Sequence, residues 1–238
     1  MDEKNQDKTL SLIEHLEELR ERLIKSIIAV IIAAGVSFRY VKKLLPYLIQ
    51  PVGKVVFLSP QEALLTHVKL ALIGGVILAS PVILFQVWQF VSCALKPEEK
   101  RWVLIFGPLS LFFFLAGAFF GYRVILPLGL KFLLSFSSPE LVPMLSVGRY
   151  LPFIFFLVLV FGVVFELPVF LYFLTLTGIV TPSLLRRRRK HAIVLIFILA
   201  AIFTPPDVVT QSLLAIPLIF LYEIGIIFSR LAYRRRGG

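Results

Sequence analysis

A chain of 238 residues that is 58% hydrophobic, with a mean hydropathy of +0.92, does not have the composition of a soluble domain and reads as an integral membrane protein. The net charge of +11 does not imply nucleic acid, because polytopic membrane proteins collect Lys and Arg on one side of the bilayer. The single cysteine, Cys93, excludes an internal disulfide and a cysteine-based metal cluster.

Residues 1–8 are polar and carry no cleavable-signal pattern, which predicts insertion through the chain's own helices. Over residues 10–25, Leu12, Leu16, Leu19 and Leu23 recur at helical spacing and predict an amphipathic helix with one apolar stripe. Glu18 and Arg22, like Glu21 and Lys25, are four apart in the favourable order and predict a solvated face with internal ion pairs. A first apolar span follows at about 23–40 and a loop at about 42–66. The loop ends on Ser59-Pro60-Gln61-Glu62, a helix start in which Ser caps, Pro occupies the first turn and Glu reaches back. The second span, about 68–94, contains Pro81, which predicts a kink. After a charged connection at 96–101 comes the third span, about 102–126, where Gly117 and Gly121 fit a small-xxx-small helix contact. A second loop, about 127–150, holds another start signal at Ser138-Pro139-Glu140.

The fourth span, about 151–177, carries one charge, Glu166. A carboxylate at membrane depth is costly, so it is kept where it faces a cavity, pairs with another group or carries a proton. Gly162 and Pro168 flank it, and proline leaves a carbonyl free one turn back. The residues therefore leave two readings open: a carboxyl bonded to a neighbouring helix, or a polar site in the membrane. Thr181-Pro182 opens a short turn that ends in the basic run 186–190. The fifth span, about 191–203, is too short for an upright crossing, which needs roughly 20 apolar residues. Thr204-Pro205-Pro206-Asp207 ends it and starts the sixth, about 208–228, with Asp207 expected at the third helical position. The spans form a single six-span membrane domain.

With the N-terminus inside and alternation across six spans, the inner segments hold about twice as many Lys and Arg as the outer ones, so both termini are expected in the cytoplasm. The two long loops are then periplasmic. No Gly-Lys-Ser/Thr phosphate loop occurs, and His15, His67 and His191 lack ligand-spaced partners. The expectation is a non-enzyme without cofactor or metal. From the residues alone the alternative is a secondary transporter or proton channel with Glu166 as its proton-carrying site, although no repeated halves are visible.

Several stretches resemble one family, TatC, the multispanning core subunit of the twin-arginine protein translocase. They are His15-Leu-Glu-Glu-Leu-Arg-Glu-Arg-Leu23; Ser80-Pro-Val-Ile-Leu-Phe-Gln-Val-Trp-Gln-Phe90 with Glu99-Lys-Arg101; Phe165-Glu166-Leu167-Pro168; and Thr204-Pro-Pro-Asp207 with residues 211–217. Cys93 departs from the pattern, standing where the family commonly has proline. The resemblance implies an all-α, curved, glove-like bundle of six helices with short fifth and sixth spans in the cell inner membrane. It implies recognition of folded precursors bearing paired-arginine signal peptides, single-span partners of the TatA and TatB type, self-association, and a drive from the proton gradient. By position it makes Glu18 and Glu99 the acids that meet the paired arginines, with Arg20 and Phe90 lining the same inner surface. It makes Glu166 a buried glutamate facing a concave cavity, and Thr204, Asp207, Gln211 and Glu223 part of a partner-binding edge. Arg22, Lys100 and Arg101 stand beside the two recognition acids, where they either hold them or compete with the ligand.

Overall fold

The computed structural model describes residues 3–53, 55–93, 103–138, 144–203 and 207–236. Among them the chain is helical: α1 Glu3–Ile49, α2 Pro60–Cys93, α3 Val103–Phe120, a π-helical turn Gly121–Ile125, α4 Leu126–Leu134, α5 Val147–Phe165, α6 Leu167–Leu176, α7 Pro182–Arg187, α8 Arg189–Phe203 and α9 Val208–Arg236. Five stretches are long and apolar enough to cross a membrane: His15–Ile49, Pro60–Ser92, Ile105–Leu134, Val147–Leu176 and Val208–Arg235. The remaining expected span, the fifth, lies on α8, whose 15 residues reach only about 22 Å against roughly 30 Å of hydrocarbon.

The helices run further than the apolar spans. α1 continues to Ile49 and α2 begins at Pro60, so the expected 42–66 loop shrinks to its middle; likewise α4 and α5 take up both ends of the expected 127–150 loop. α9, expected short, has 29 residues, because the helix continues through the basic positions from Arg230 onward. The expected turn before the basic run is itself helical: Thr181 caps α7 by accepting the Leu184 N–H at 3.3 Å, and Pro182 opens its first turn.

Proline positions explain the local irregularities. Pro127 has no N–H for the Arg123 carbonyl; the turn before it widens, with Leu126 N–H bonding Gly121, and the helix goes on into α4 instead of stopping. Pro81 leaves the Ile77 carbonyl unfilled, and Ser80 Oγ donates to that oxygen at 2.7 Å, so α2 stays helical through the proline. Pro168 does interrupt: α5 stops at Phe165, Glu166 N–H bonds Val163 three residues back, and α6 resumes with Phe170 N–H on the Glu166 carbonyl at 2.8 Å.

The chain forms two compact units. The first comprises Met1–Leu48 and Phe57–Leu111. Here α1 meets α2 backbone to backbone: a Cβ on Gly75 would lie 2.7 Å from Ala34 N, and one on Gly74 would strike Ser37 Oγ. Such contact needs glycine, and it maximises van der Waals packing where lipid offers no hydrophobic drive for helix association. Trp88 stacks on Phe106 and donates its indole N–H to Ser110 at 2.7 Å, satisfying a buried donor.

The second unit comprises Ile49–Val56 and Phe112–Gly238. Gly117 and Gly121 admit Phe161 and Phe165 of α5, and Gly162 admits the Phe114 ring, so the small-xxx-small pattern is used for helix packing. α6 lies along α9, with Gly225 against Leu171 and Pro168 and a buried Thr175–Ser229 hydroxyl pair at 2.7 Å. A short parallel bridge, Val56 N–H to the Leu145 carbonyl and Val147 N–H to the Val56 carbonyl, ties two connecting segments together.

Candidate functional site

The shielded line of α1 runs through His15, Glu18, Arg22, Ser26, Val30, Ala34, Ser37 and Val41, spaced by three and four residues. Its N-terminal half is polar. The expected apolar stripe points the other way: Leu16 is 65% exposed, and Leu19 and Leu23 are exposed too. In water the leucines would turn inward. Beside a bilayer they face lipid, and the polar residues take the protein side.

A polar cluster results between α1 and α2, inside the first unit. Arg22 Nη2 donates to Glu18 Oε1 at 3.0 Å, and its Nη1 donates to Gln89 Oε1 at 2.9 Å and Gln86 Oε1 at 3.1 Å. The Arg22 and Glu18 side chains are only 17% and 24% exposed. One turn away, His15 stacks on Phe90 with ring centroids 4.6 Å apart. Glu18 and Phe90 are thus brought to one end of the α1–α2 pair. Arg20 is exposed and, two residues from Glu18, lies on the opposite side of the helix. Glu99, Lys100 and Arg101 lie outside the described residues. Of the cluster's members, Arg22 was legible as the i,i+4 partner and basic neighbour of Glu18, and Gln86 and Gln89 were missed. Two polar side chains three apart in an apolar helix were the available signal.

Glu166 occupies the α5–α6 break. It is half-buried, with Oε1 closed off from solvent, and its carbonyl starts α6. The break falls two residues before Pro168, while Gly162 stays inside α5.

The third group divides along α9. Asp207 is not the third residue of the helix but its cap: its carboxylate accepts the Thr210 N–H at 2.7 Å and the Thr210 hydroxyl. Those bonds hold its pKa below the usual carboxylate value. The expected register counted the helix from Thr204, whereas α9 begins at Val208. Gln211, one turn on, donates to the Phe197 carbonyl of α8 at 3.0 Å. Glu223 is about 18 Å further along α9 and forms a two-point ion pair with Arg189 of α8, Nε to Oε1 at 2.7 Å and Nη2 to Oε2 at 2.8 Å. Gln211 and Glu223 therefore clamp α8 to α9 at two levels and do not form one patch. Thr204 lies outside the described residues.

Comparison with known proteins agrees with this architecture. Residues 14–217 match the family described as Sec-independent protein translocase protein (TatC). The chain is 45% identical to the Sec-independent protein translocase protein TatC of Aquifex aeolicus, over 95% of this chain and 98% of that one. It is 41% identical to the protein of the same name from Carboxydothermus hydrogenoformans, over 94% and 95%. A solved structure, the crystal structure of the twin arginine translocase receptor TatC, matches with a TM-score of 0.82 at 44% identity, covering 92% of this chain and 99% of that chain. The chain belongs to the TatC family and is a multi-pass membrane component of a Sec-independent protein translocase.

Proposed function

We propose that this chain is the receptor for paired-arginine signal peptides of folded precursors. Glu18 and Glu99 accept the two guanidinium groups on the cytoplasmic side, and Phe90 and Arg20 contribute the surrounding surface. The observation that supports this most is the α1–α2 cluster. Glu18 sits there in a partly buried setting whose chemistry already holds one guanidinium, that of Arg22. Carboxylates suit arginine because the guanidinium presents a planar fork of donors that lysine lacks. We further infer that single-span partners of the TatA and TatB type dock along the α8–α9 edge. Gln211 and Glu223 hold that edge together, and the proton gradient drives transport.

The test is binding of a synthetic twin-arginine peptide, with its Lys-Lys version as control. A hydrogen bond to a charged group contributes about 1.5–3 kcal/mol, so Glu18→Ala or Glu99→Ala weakens binding by roughly ten- to a hundredfold. Site-specific crosslinking from positions 18, 90 and 99 reaches the peptide. Unchanged binding in the double variant removes both acids from the site.

A further inference from the structure

Among the described residues, Arg22 is a cation that already pairs with Glu18. Its guanidinium is gripped from two helices: by the Glu18 carboxylate on its own helix, and by the Gln86 and Gln89 amide oxygens on α2. The group it presents to Glu18 is the same group that a paired-arginine peptide would bring. We propose that Arg22 is a resident surrogate for the peptide's arginine: it fills the Glu18 carboxylate while the receptor is empty and yields it to the incoming guanidinium. Gln86 and Gln89 keep hold of Arg22 when it does. This inference rests on the reading of Glu18 as a recognition residue.

The glutamines make the exchange feasible. A partly buried guanidinium stripped of every acceptor is strongly disfavoured. With Glu18 taken by the ligand, two amide oxygens remain on Nη1, so Arg22 keeps acceptors without leaving the helix pair. One charge-assisted contact is exchanged for another of the same kind, so the net gain is less than that of an unopposed contact. That makes binding reversible, as a receptor that hands its ligand onward requires. The cost of displacing Arg22 falls equally on arginine and lysine ligands. It leaves their ratio unchanged and lowers both affinities, which carries the weaker lysine ligand below working concentrations.

Binding of the twin-arginine peptide and its Lys-Lys version to the detergent-solubilised full chain tests this. Arg22→Gln tightens both peptides by about tenfold with their ratio unchanged. Arg22→Lys, which keeps the charge but not the fork, tightens both by less. Changing Gln86 and Gln89 together to Leu weakens binding in the parent chain and has no effect in the Arg22→Gln background, because the glutamines act only through Arg22. Weaker binding in either Arg22 variant overturns the inference and makes Arg22 a positioning residue. A glutamine effect that persists without Arg22 also overturns it, since the glutamines would then touch the peptide. Melting temperatures verify folding, and if Arg22→Gln does not fold, Arg22→Lys decides. Glu18→Gln is the separate arm: loss of binding there upholds the recognition reading whatever Arg22 does, and undiminished binding removes that reading itself.

Discussion

At residue scale, Glu166 and Glu223 are carboxyl groups in unlike settings, one at a helix break and one in an exposed ion pair. Glu166 sits at a helix break where backbone groups are locally re-paired and one carboxyl oxygen is closed to solvent. If the carboxyl serves as a hydrogen-bonding group for an inserting peptide or partner helix, Glu166→Gln keeps size and polarity and retains substantial transport. Glu166→Ala then loses most transport while peptide docking at Glu18 persists. Glu166→Arg is worst, because arginine cannot be neutralised at membrane depth. Transport and docking measured separately on the three variants check the order; equal transport by Ala and Gln would reduce Glu166 to a packing residue. Glu223 is a different case. Its pair with Arg189 is 45% and 38% exposed, and exposed ion pairs contribute about 0–1 kcal/mol. Glu223→Gln therefore moves the melting temperature little. A large loss of transport in that variant, with the melting temperature held, is the expected mark of partner docking; a matching loss of both would mean the clamp alone matters.

At the scale of elements, two helix contacts carry sharp expectations. Gly75 lies so close to the Ala34 backbone that no side chain fits. Gly75→Leu forces α1 and α2 apart, and overpacking of this kind costs about 1–3 kcal/mol. The variant melts earlier and loses peptide binding, since Glu18 and its glutamine neighbours sit on opposite helices. An unaltered melting curve would show that the contact yields easily. α8 is the second case: at 15 residues it is shorter than the hydrocarbon it faces, so the bilayer beside it thins or water approaches from one side. Four leucines inserted after Leu199 bring it near a full span. They preserve insertion and impair transport, partly because the insertion moves Phe197 and Arg189 out of step with Gln211 and Glu223. Normal transport in that variant would make the shortness incidental.

At the scale of the whole molecule, the charge asymmetry assigns sides. On this asymmetry both termini, the 96–101 connection and the 186–190 run are expected to face the cytoplasm, and the segments around Lys54 and Ser138 to face outward. In a chain with Cys93 replaced, single cysteines introduced as Lys54→Cys and Ser138→Cys react with an impermeant thiol reagent on sealed cells, and Lys96→Cys does not. Labelling at position 96 would invert the topology and move Glu18 to the wrong side for a cytoplasmic ligand.

What the amino-acid order determined by itself is what depends on near neighbours in the chain. The membrane class follows from hydropathy, and the shortness of α8 follows from the distance between the basic run and Thr204. The start of α2 at Pro60, the cap at Thr181 and the break around Glu166 follow from proline and cap positions. The glycine contact of α3 with α5 was likewise readable from the spacing of Gly117 and Gly121. Other features needed the tertiary structure. The expected loop begins at Pro127, yet a widened turn carries the helix past it. Gln211 and Glu223 became clamps because α8 folds back on α9. The clearest divide is α1. Its periodicity shows two faces, but periodicity cannot say which one meets protein. In water the leucine face would be buried; next to hydrocarbon burial gains little for leucine and much for Glu18 and Arg22. Only the presence of α2, with Gln86 and Gln89 turned toward that polar face, decided that the polar cluster is built there.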